Sequence, residues 1–273
     1  MPTTALVLAL TAAVGHAVWN MLLARARDPE AATAIAMLVG LAVFAIPAAI
    51  DLDVDPSVWP YVVGSSIFEL VYIALLAAAY RGSDLSLIYP LGRGVAPVLV
   101  LIVGVAVLGV GTSAAQAAGV CLVGAGVLLI RGPRRHADAR GVAFGLSIAA
   151  CIAAYTLIDN SGIELASALA YLELVMIVPA LGYAAIALKL RGAEALRSEF
   201  NAGSVIAGLL ILTPYCLFLI ALDLAPAAPV AAVRETSIVV ATALGALVLK
   251  ERVGPARWAG AALVAGGVAL VAV

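Results

Sequence analysis

The stretch that decides the fold is residues 84–108, DLSLIYPLGRGVAPVLVLIVGVAVL, together with its counterpart at 225–249, APAAPVAAVRETSIVVATALGALVL. A shift of 141 residues superposes the two without a gap and places Arg93 on Arg234. Matching Val, Leu and Gly between apolar segments is weak evidence of a repeat. Matching arginines are stronger evidence, because an arginine inside a membrane is costly unless it faces protein or water.

The rest of the chain is equally apolar. It is 65% hydrophobic and 11% charged, with a mean hydropathy of +1.16, whereas soluble domains carry about 25% charged residues. Lipid is therefore the expected solvent, and each apolar segment has about 20 residues, the length that crosses a bilayer as a helix. The sequence predicts ten transmembrane helices at 3–24, 31–50, 58–80, 84–108, 112–130, 141–160, 165–188, 203–223, 227–249 and 255–273.

The basic residues fix a predicted orientation. Thirteen of the fifteen Lys and Arg residues follow the odd-numbered segments, and the loops after the even segments and both termini carry none. Short loops rich in Lys and Arg stay in the cytoplasm, so both termini are expected to be extracytoplasmic in a multi-pass protein of a bacterial-type inner membrane. These residues are Arg25, Arg27, Arg81, Arg131, Arg134, Arg135, Arg140, Lys189, Arg191, Arg197, Lys250, Arg252 and Arg257.

The repeat predicts two halves of opposite orientation. Five helices are an odd number, so the second half must enter the membrane upside down. We expect a first repeat at 1–130, a basic cytoplasmic linker at 131–140 and a second repeat at 141–273. Inverted repeats of this kind are typical of transporters, whose substrate site lies near the midplane where the repeats meet.

Arg93 and Arg234 are the two basic residues that lie inside apolar segments. Each is roughly 12–15 Å deep at 1.5 Å per residue, near the bilayer centre. Either both line a shared internal site, or they are members of structural ion pairs. Prolines and glycines around Arg93, at Pro90, Gly92 and Pro97 among others, predict a kinked helix that exposes backbone groups.

Three glutamates in apolar segments are the candidate partners. Glu69, midway along the third segment, is either a proton-coupling residue or the salt-bridge partner of an arginine. Glu173 in the seventh segment is a second proton-coupling candidate. Glu235 adjoins Arg234 but is not expected to face it, since neighbours on a helix diverge by about 100°, whereas Ser237 shares the face of Arg234.

Polar and aromatic residues of the first segment complete the candidate site. His16, Trp19 and Asn20 follow one another at spacings of three and four. His16 is either a titrating group near neutral pH or a neutral hydrogen-bonding residue. Trp19 and Tyr155 occupy matching positions under a second, weaker alignment, and either line a cavity or pack. Asp159 is expected near the solvated outer rim.

The cysteines and several glycines indicate helix packing and not a catalytic or metal site. The three cysteines lie in apolar segments and form neither a disulfide framework nor a metal motif. No metal or other cofactor is expected. Gly119, Gly126, Gly260 and Gly267 form small-residue faces on the fifth and tenth segments. Close helix packing is the first explanation, and a homodimer through these faces is the alternative.

The motifs around the two arginines carry a family resemblance. The run 80–94, YRGSDLSLIYPLGRG, is similar to a YRxGDLSxxYPxARG pattern found among EamA-type transporters of the drug/metabolite transporter superfamily, with Gly92 in place of an alanine. The runs 225–237 and 249–252 resemble the second repeat of that subgroup, although the first-half counterpart of its closing Glu-Arg is missing. The resemblance covers nearly the whole chain. It implies an all-α fold of two inverted five-helix repeats around a central cavity, and transport of amino acids, amines or other small metabolites.

The predicted function is a secondary transporter, an exporter or exchanger of a small zwitterionic or anionic metabolite such as an amino acid. The arginines would hold an anionic group, and the glutamates an amine or a proton. The expected partners are lipid, the small-molecule substrate and protons, with no nucleic acid. The predicted substrate-binding residues are Arg93, Arg234, Glu69, Tyr89, Tyr72, Trp19, Tyr155, Glu235, Ser237, His16 and Asn20, and the proton-coupling candidates are Glu69, Glu173 and His16.

Two other classes of protein have to be compared with a secondary transporter. An intramembrane enzyme would need a metal or nucleophile constellation such as HExxH, and the sequence has none. A flippase, or a partner subunit that moves a lipid headgroup, is the alternative that the sequence does not exclude. No ATP-binding motif such as GxxxxGK[ST] occurs.

Overall fold

A computed structural model describes residues 1–80, 85–130, 139–248 and 254–272. Apart from two short 3₁₀ turns and one isolated β-bridge, the regular structure of these residues is α-helical. The helices are α1 (Thr3–Ala24), α2 (Pro29–Ile50), α3 (Trp59–Tyr80), α4 (Leu85–Ala106), α5 (Ala114–Ile130), α6 (Ala139–Gly162), α7 (Ala168–Ser198), α8 (Ala202–Leu224), α9 (Ala227–Arg234), α10 (Thr236–Val248) and α11 (Pro255–Ala272).

Short polar residues start several of these helices. The Asp28 side chain accepts a hydrogen bond from the Ala31 amide at the start of α2, where Pro29 takes the first helical position. Ser167 caps α7 and Asn201 caps α8 in the same way. Such caps satisfy amides that have no partner within the helix, so the turns between long apolar helices are set by local sequence.

The ten predicted segments are present in order. Within the described residues, eight helical stretches are long and apolar enough to cross a membrane, and two shorter apolar helices, Pro90–Ala106 and Ala114–Ile130, supply the remaining two segments. The seventh helix runs to Ser198, past the predicted 188, and contains Gly192 with φ of 83°. The predicted ninth segment is divided into α9 and α10 at Glu235.

The helix contacts follow the pattern of an inverted repeat. α1 packs on α8 and, at the matching positions of the other half, α6 packs on α3. The pairs α2 with α7 and α5 with α11 each join a helix to its own counterpart. The fold is therefore an all-α membrane fold of two inverted five-helix repeats. The predicted repeat boundaries at 130 and 141 remain a prediction, and most of the predicted linker lies outside the described residues.

Glycines bring α5 and α11 into close contact. A Cβ on Gly126 would lie 2.7 Å from the Gly260 carbonyl oxygen, and a Cβ on Gly119 would lie 2.7 Å from that of Gly267. Only the absence of side chains allows the two backbones to approach so closely. These faces are covered by each other within one chain, and a homodimer through them remains a prediction.

The two ends of the helix bundle differ. One end carries the loop between α1 and α2 and the C-terminal end of α7, and we call it the basic end. The other carries both termini, with the Met1 amino group 3.3 Å from the Ala272 carbonyl oxygen. At this second end, residues 51–55 pair with residues 165–167 through the antiparallel bridge between Val54 and Ala166. We call it the sealed end.

Candidate functional site

A cavity of about 480 Å³ lies between α1, α2, α3, α7 and α8, with Arg93 of α4 and Arg234 of α9 in its wall. It extends from the centre of the bundle to Ala24 and Pro29, which are exposed at the basic end. Its lining is Ala12, His16, Trp19, Asn20, Leu23, Ala24, Pro29, Glu30, Thr33, Met37, Glu69, Tyr72, Ile73, Leu76, Arg93, Tyr155, Met176, Tyr183, Arg191, Ile211, Pro214, Tyr215, Phe218 and Arg234.

The sealed end closes the other side of the cavity. The Asp55 amide donates to the Leu165 carbonyl oxygen at 2.8 Å, and the Ser167 amide donates to that of Asp53 at 2.8 Å. The Ser167 hydroxyl also donates to the Asp51 carbonyl oxygen. The bridge therefore joins the loop between α2 and α3 to the loop between α6 and α7, one from each half of the chain. The cavity is thus accessible from the basic end.

An ion pair crosses the mouth of the cavity at the basic end. Arg191 of α7 lies 2.9 Å from Glu30 and 3.5 Å from Asp28, both in the first half of the chain. The Arg191 side chain is 43% exposed. Exposed pairs contribute about 0–1 kcal/mol, so this contact is too weak to hold the mouth shut.

Arg93 is held by a buried ion pair. Its Nε lies 2.8 Å from Glu235 Oε2, and the two side chains are 4% and 1% exposed. Its Nη1 is 3.2 Å from His16 Nε2, and its Nη2 donates to the Ser237 hydroxyl at 3.3 Å. Glu235 and Ser237 lie behind Arg93 and do not line the cavity. The break between α9 and α10 at Glu235 lies where this carboxylate turns to the other half of the chain.

Arg234 has a different environment. It is 8% exposed, and its guanidinium carbon lies 4.2 Å from the centre of the Phe218 ring. Its Nη2 donates to the Tyr155 hydroxyl at 3.3 Å, while its Nε has no hydrogen-bond partner. Among the described residues no carboxylate lies within 4.0 Å of it. The cation–π contact offsets part of the cost of burial, but the positive charge is not neutralised by a carboxylate.

Both arginines line the cavity, but they differ in their counter-ions. Arg93 is also a member of a buried ion pair, whereas no carboxylate of the described residues pairs with Arg234. Glu235 does not face Arg234, as the helix geometry predicts, and it pairs instead with the arginine of the other half.

The cavity also contains a carboxyl group. Glu69 of α3 is 7% exposed and lines the cavity, as does Tyr215 of α8. The Tyr215 hydroxyl donates to Asp159 Oδ2 at 2.7 Å. Asp159 is fully buried and also accepts from Ser65 and Tyr171, so the expectation that it lies at a solvated rim is wrong. Five residues separate it from the pairing segment of the sealed end, and the fold turns it inward to these hydroxyls.

Aromatic side chains form much of the remaining wall. The His16 and Trp19 rings meet edge to face with centres 5.0 Å apart, and the Tyr72 and Tyr155 rings are 6.3 Å apart. Asn20 lines the same wall and donates to the His16 carbonyl oxygen. Within its described lining, Arg93 is paired with Glu235 and Arg191 with Glu30. Arg234 and Glu69 remain as a cationic group and a carboxyl that form no ion pair in the described residues, between aromatic surfaces.

The remaining predicted site residues lie elsewhere. Glu173 is half-buried on α7 and does not line the cavity, and its Oε2 has no partner among the described residues. The side chain of Tyr89 lies outside the described part of the structure. Within that part, no group of three His, Cys, Asp or Glu residues is arranged to hold a metal ion.

The sequence did not single out Tyr215 and Phe218. Both lie in the eighth segment, which reads as continuously apolar, and their spacing of three puts them on one helix face. Pro214, inside the same helix, is the one local signal that marks this stretch as irregular.

Comparison with known proteins agrees with this architecture. A solved structure, described only as the crystal structure of a protein, superposes with a TM-score of 0.78 over 98% of this chain and 95% of its own, at 17% identity, which shows a shared fold. A search of curated proteins gave no significant match. The profile of the EamA-like transporter family matches residues 3–132 and again 139–273. Because both halves match, the chain belongs to the EamA-like transporter family.

Proposed function

We propose that this membrane transporter moves a small anionic or zwitterionic metabolite, such as an amino acid, by secondary active transport with alternating access. The observation that carries the proposal is the unpaired guanidinium of Arg234 in the cavity wall. Its counterpart Arg93 is neutralised by Glu235, so one net positive charge faces the cavity from this pair.

Arg234 is suited to an anionic group. A guanidinium binds a carboxylate or a phosphonate through two parallel hydrogen bonds, and the Nε of Arg234 is a donor that no described protein group uses. Phe218 covers one face of the guanidinium and Tyr155 fixes one edge. The remaining edge is therefore held in place before a ligand arrives, which reduces the ordering cost of binding.

Glu69 is suited to the other end of a zwitterion. It lines the same cavity as Arg234 and is only 7% exposed, so either an ammonium group or a proton would compensate its charge. The volume of about 480 Å³ is within the range of small-ligand sites, which is about 300–1,000 Å³. The aromatic wall of Trp19, Tyr72 and Tyr155 would contact the body of the substrate.

The two ends of the cavity support alternating access. The basic end is open and the sealed end is closed by backbone pairing between the two halves. If the basic loops are cytoplasmic, the described state faces the cytoplasm, both termini lie outside, and an exporter or exchanger would load its substrate here. The matching helix contacts of the two halves provide a symmetric outward-facing alternative.

The proposal is tested on purified protein with a ligand panel. Amino acids, amines, carboxylates and phosphonates are screened by thermal shift, since a ligand that binds the folded state raises its stability, and hits are then assayed for uptake into sealed proteoliposomes. In the Arg234→Gln variant we expect binding of the best anionic ligand to weaken at least about 30-fold, because removing one partner of a buried charge pair costs about 2 kcal/mol or more.

The matched control is Arg140→Ala. Arg140 also lies against a phenylalanine, Phe144, but is exposed at the start of α6, and its loss should leave binding unchanged. Equal binding by Arg234→Gln and the parent protein would refute the assignment. Binding of phospholipid headgroups without uptake of any soluble ligand would favour a flippase instead.

A further inference from the structure

The buried carboxyl of Asp159 ties together four helices next to the sealed end. It lies on α6, is 0% exposed, and accepts hydrogen bonds from Ser65 of α3 at 2.5 Å, Tyr171 of α7 at 3.0 Å and Tyr215 of α8 at 2.7 Å. No cation within 4.0 Å compensates it among the described ion pairs. The proposed binding of substrate to Arg234 leaves this group without a role.

Three hydroxyl partners suit an ionised carboxylate, which only accepts hydrogen bonds and forms strong, short contacts with hydroxyl donors. A proton on Asp159 would turn one oxygen into a donor, so the hydroxyl bound to that oxygen would have to accept. The hydrogen bonds that the other hydroxyls donate to a neutral carboxyl would be weaker. The charge on Asp159 therefore controls how firmly α3, α7 and α8 are joined to α6.

The position of Asp159 connects that charge to the seal. The segment 165–167, which pairs with residues 51–55, begins six residues after Asp159. Tyr171 follows the Ser167 cap by four residues. Its ring packs so closely on Gly162 that a Cβ there would overlap it. Loosening the contacts of Asp159 would thus release both sides of the loop that forms the seal.

Tyr215 connects Asp159 to the cavity. Its hydroxyl donates to Asp159, and its side chain lines the cavity together with Glu69. The titratable and charged groups that face Asp159 are Glu69 of α3, Tyr171 of α7, Tyr215 of α8 and Arg234 of α9. Arg93 of α4 is engaged by Glu235.

We propose that Asp159 is a proton-binding residue of the transport cycle, which holds the sealed end shut when ionised and releases it when protonated, and whose proton passes through Tyr215 to Glu69. The proposal rests on the secondary transport proposed above and adds its driving ion. The proton leaves Asp159 for the Tyr215 oxygen as the Tyr215 hydroxyl proton moves to Glu69. The products are ionised Asp159, protonated Glu69 and a Tyr215 hydroxyl directed at Asp159, as the structure shows.

The direction of coupling follows from the positions of these groups. Asp159 lies nearer the sealed end and Glu69 lines the cavity that is open to the basic end. A proton therefore enters from the sealed end and leaves at the basic end.

The test measures the seal directly and needs no substrate. Spin labels are placed at Leu52→Cys and Glu164→Cys, on either side of the seal and both exposed, after Cys121, Cys151 and Cys216 are replaced by alanine. Distances are measured by double electron–electron resonance in lipid nanodiscs across a pH series. We expect a short distance at alkaline pH and a growing long-distance population at acidic pH. Asp159→Asn should show the long distance at every pH, with the pH dependence lost.

One further variant and two controls keep the result decisive. Tyr215→Phe removes one donor but no charge, and it should increase the open population without abolishing its pH dependence. Asp223→Asn, an exposed carboxyl of α8, and Tyr61→Phe on α3 are the matched controls and should behave as the parent. If Asp159→Asn does not fold, the pH series of the labelled parent and of Tyr215→Phe decides. A distance that is unaffected by pH and by these variants overturns the proposal. Because no substrate is used, that failure is distinct from a failure of Arg234 to bind anions.

Discussion

The environments of Arg93 and Arg234 differ in their counter-ions, although the two residues occupy matching positions in the repeat. Glu235 neutralises Arg93 from the other half of the chain, whereas Arg234 rests on Phe218 with its Nε unpartnered. The sequence repeat places the two arginines at matching positions, but the residues that follow them differ. Arg234 is followed by the acidic Glu235, whereas Arg93 is followed by Gly94. The site is asymmetric because of that one difference.

The Arg93–Glu235 pair is expected to govern folding. Removing one partner of a buried ion pair leaves an uncompensated charge and costs about 3–5 kcal/mol, so Glu235→Gln should markedly lower the thermal unfolding temperature in detergent. The double variant Arg93→Met with Glu235→Met should recover most of the loss, since apolar replacements of buried pairs are often neutral.

Glu194→Gln, at an exposed site on α7, is the control for this series. Equal unfolding temperatures of Glu235→Gln and the parent would show that the pair is not structural. The double variant keeps Arg234 and Glu69 in the cavity and replaces only Arg93 of its lining.

The sequence predicts which charged residues are buried, but not which residues they contact. Depth along an apolar segment identifies Arg93, Arg234 and Glu69, because burial of a charge requires a reason. Which groups meet depends on helix rotation and on contacts between residues more than a hundred positions apart, such as the Arg93–Glu235 pair. The prediction that Asp159 lies at a solvated rim is wrong. Its distance along α6 indicates the rim, but the rotation of α6 about its own axis points the side chain at three hydroxyls.

At the scale of elements, the division of the ninth segment into α9 and α10 places Glu235 at a helix break. The segment reads as one continuous apolar run, and no glycine or proline marks positions 230–244. The break is small, with Glu235 still in helical backbone geometry at φ −69° and ψ −9°. Glu235 is paired with Arg93 at this break, and sequence periodicity could not have located a contact between residues so far apart in the chain.

The contact between α5 and α11 gives an element-level prediction. A Cβ at Gly126 would lie 2.7 Å from the Gly260 carbonyl oxygen, which is too close for two packed helices. Gly126→Ala should therefore lower the unfolding temperature, since overpacking a close contact costs about 1–3 kcal/mol.

Gly104→Ala is the matched control for this prediction. A Cβ there meets nothing within 4 Å, and alanine is favoured over glycine in a helix by up to about 1 kcal/mol. Its unfolding temperature should stay the same or rise. A Gly126→Ala protein as stable as Gly104→Ala would show that the glycine contact does not hold α5 to α11.

At the scale of the whole molecule, hydropathy and charge together were sufficient for the architecture. Few topologies are compatible with ten segments of membrane length, five in each half, when every second loop is basic. The pairing of loops at the sealed end could not be foreseen, because residues 51–55 and 165–167 carry no strand pattern and meet only after both halves have packed.

The orientation of the whole molecule is the remaining prediction, and it determines the direction of any proton or substrate flux. The basic loops predict that the sealed end is extracytoplasmic. In a variant without native cysteines, Leu52→Cys at the sealed end should react with a membrane-impermeant thiol reagent in intact cells. Glu194→Cys near the basic end should react only after the cells are permeabilised. Both positions are exposed, so burial does not explain a difference between them. The reverse labelling pattern would place the cavity mouth outside the cell, and the same cavity would then load substrate from the exterior as an importer does.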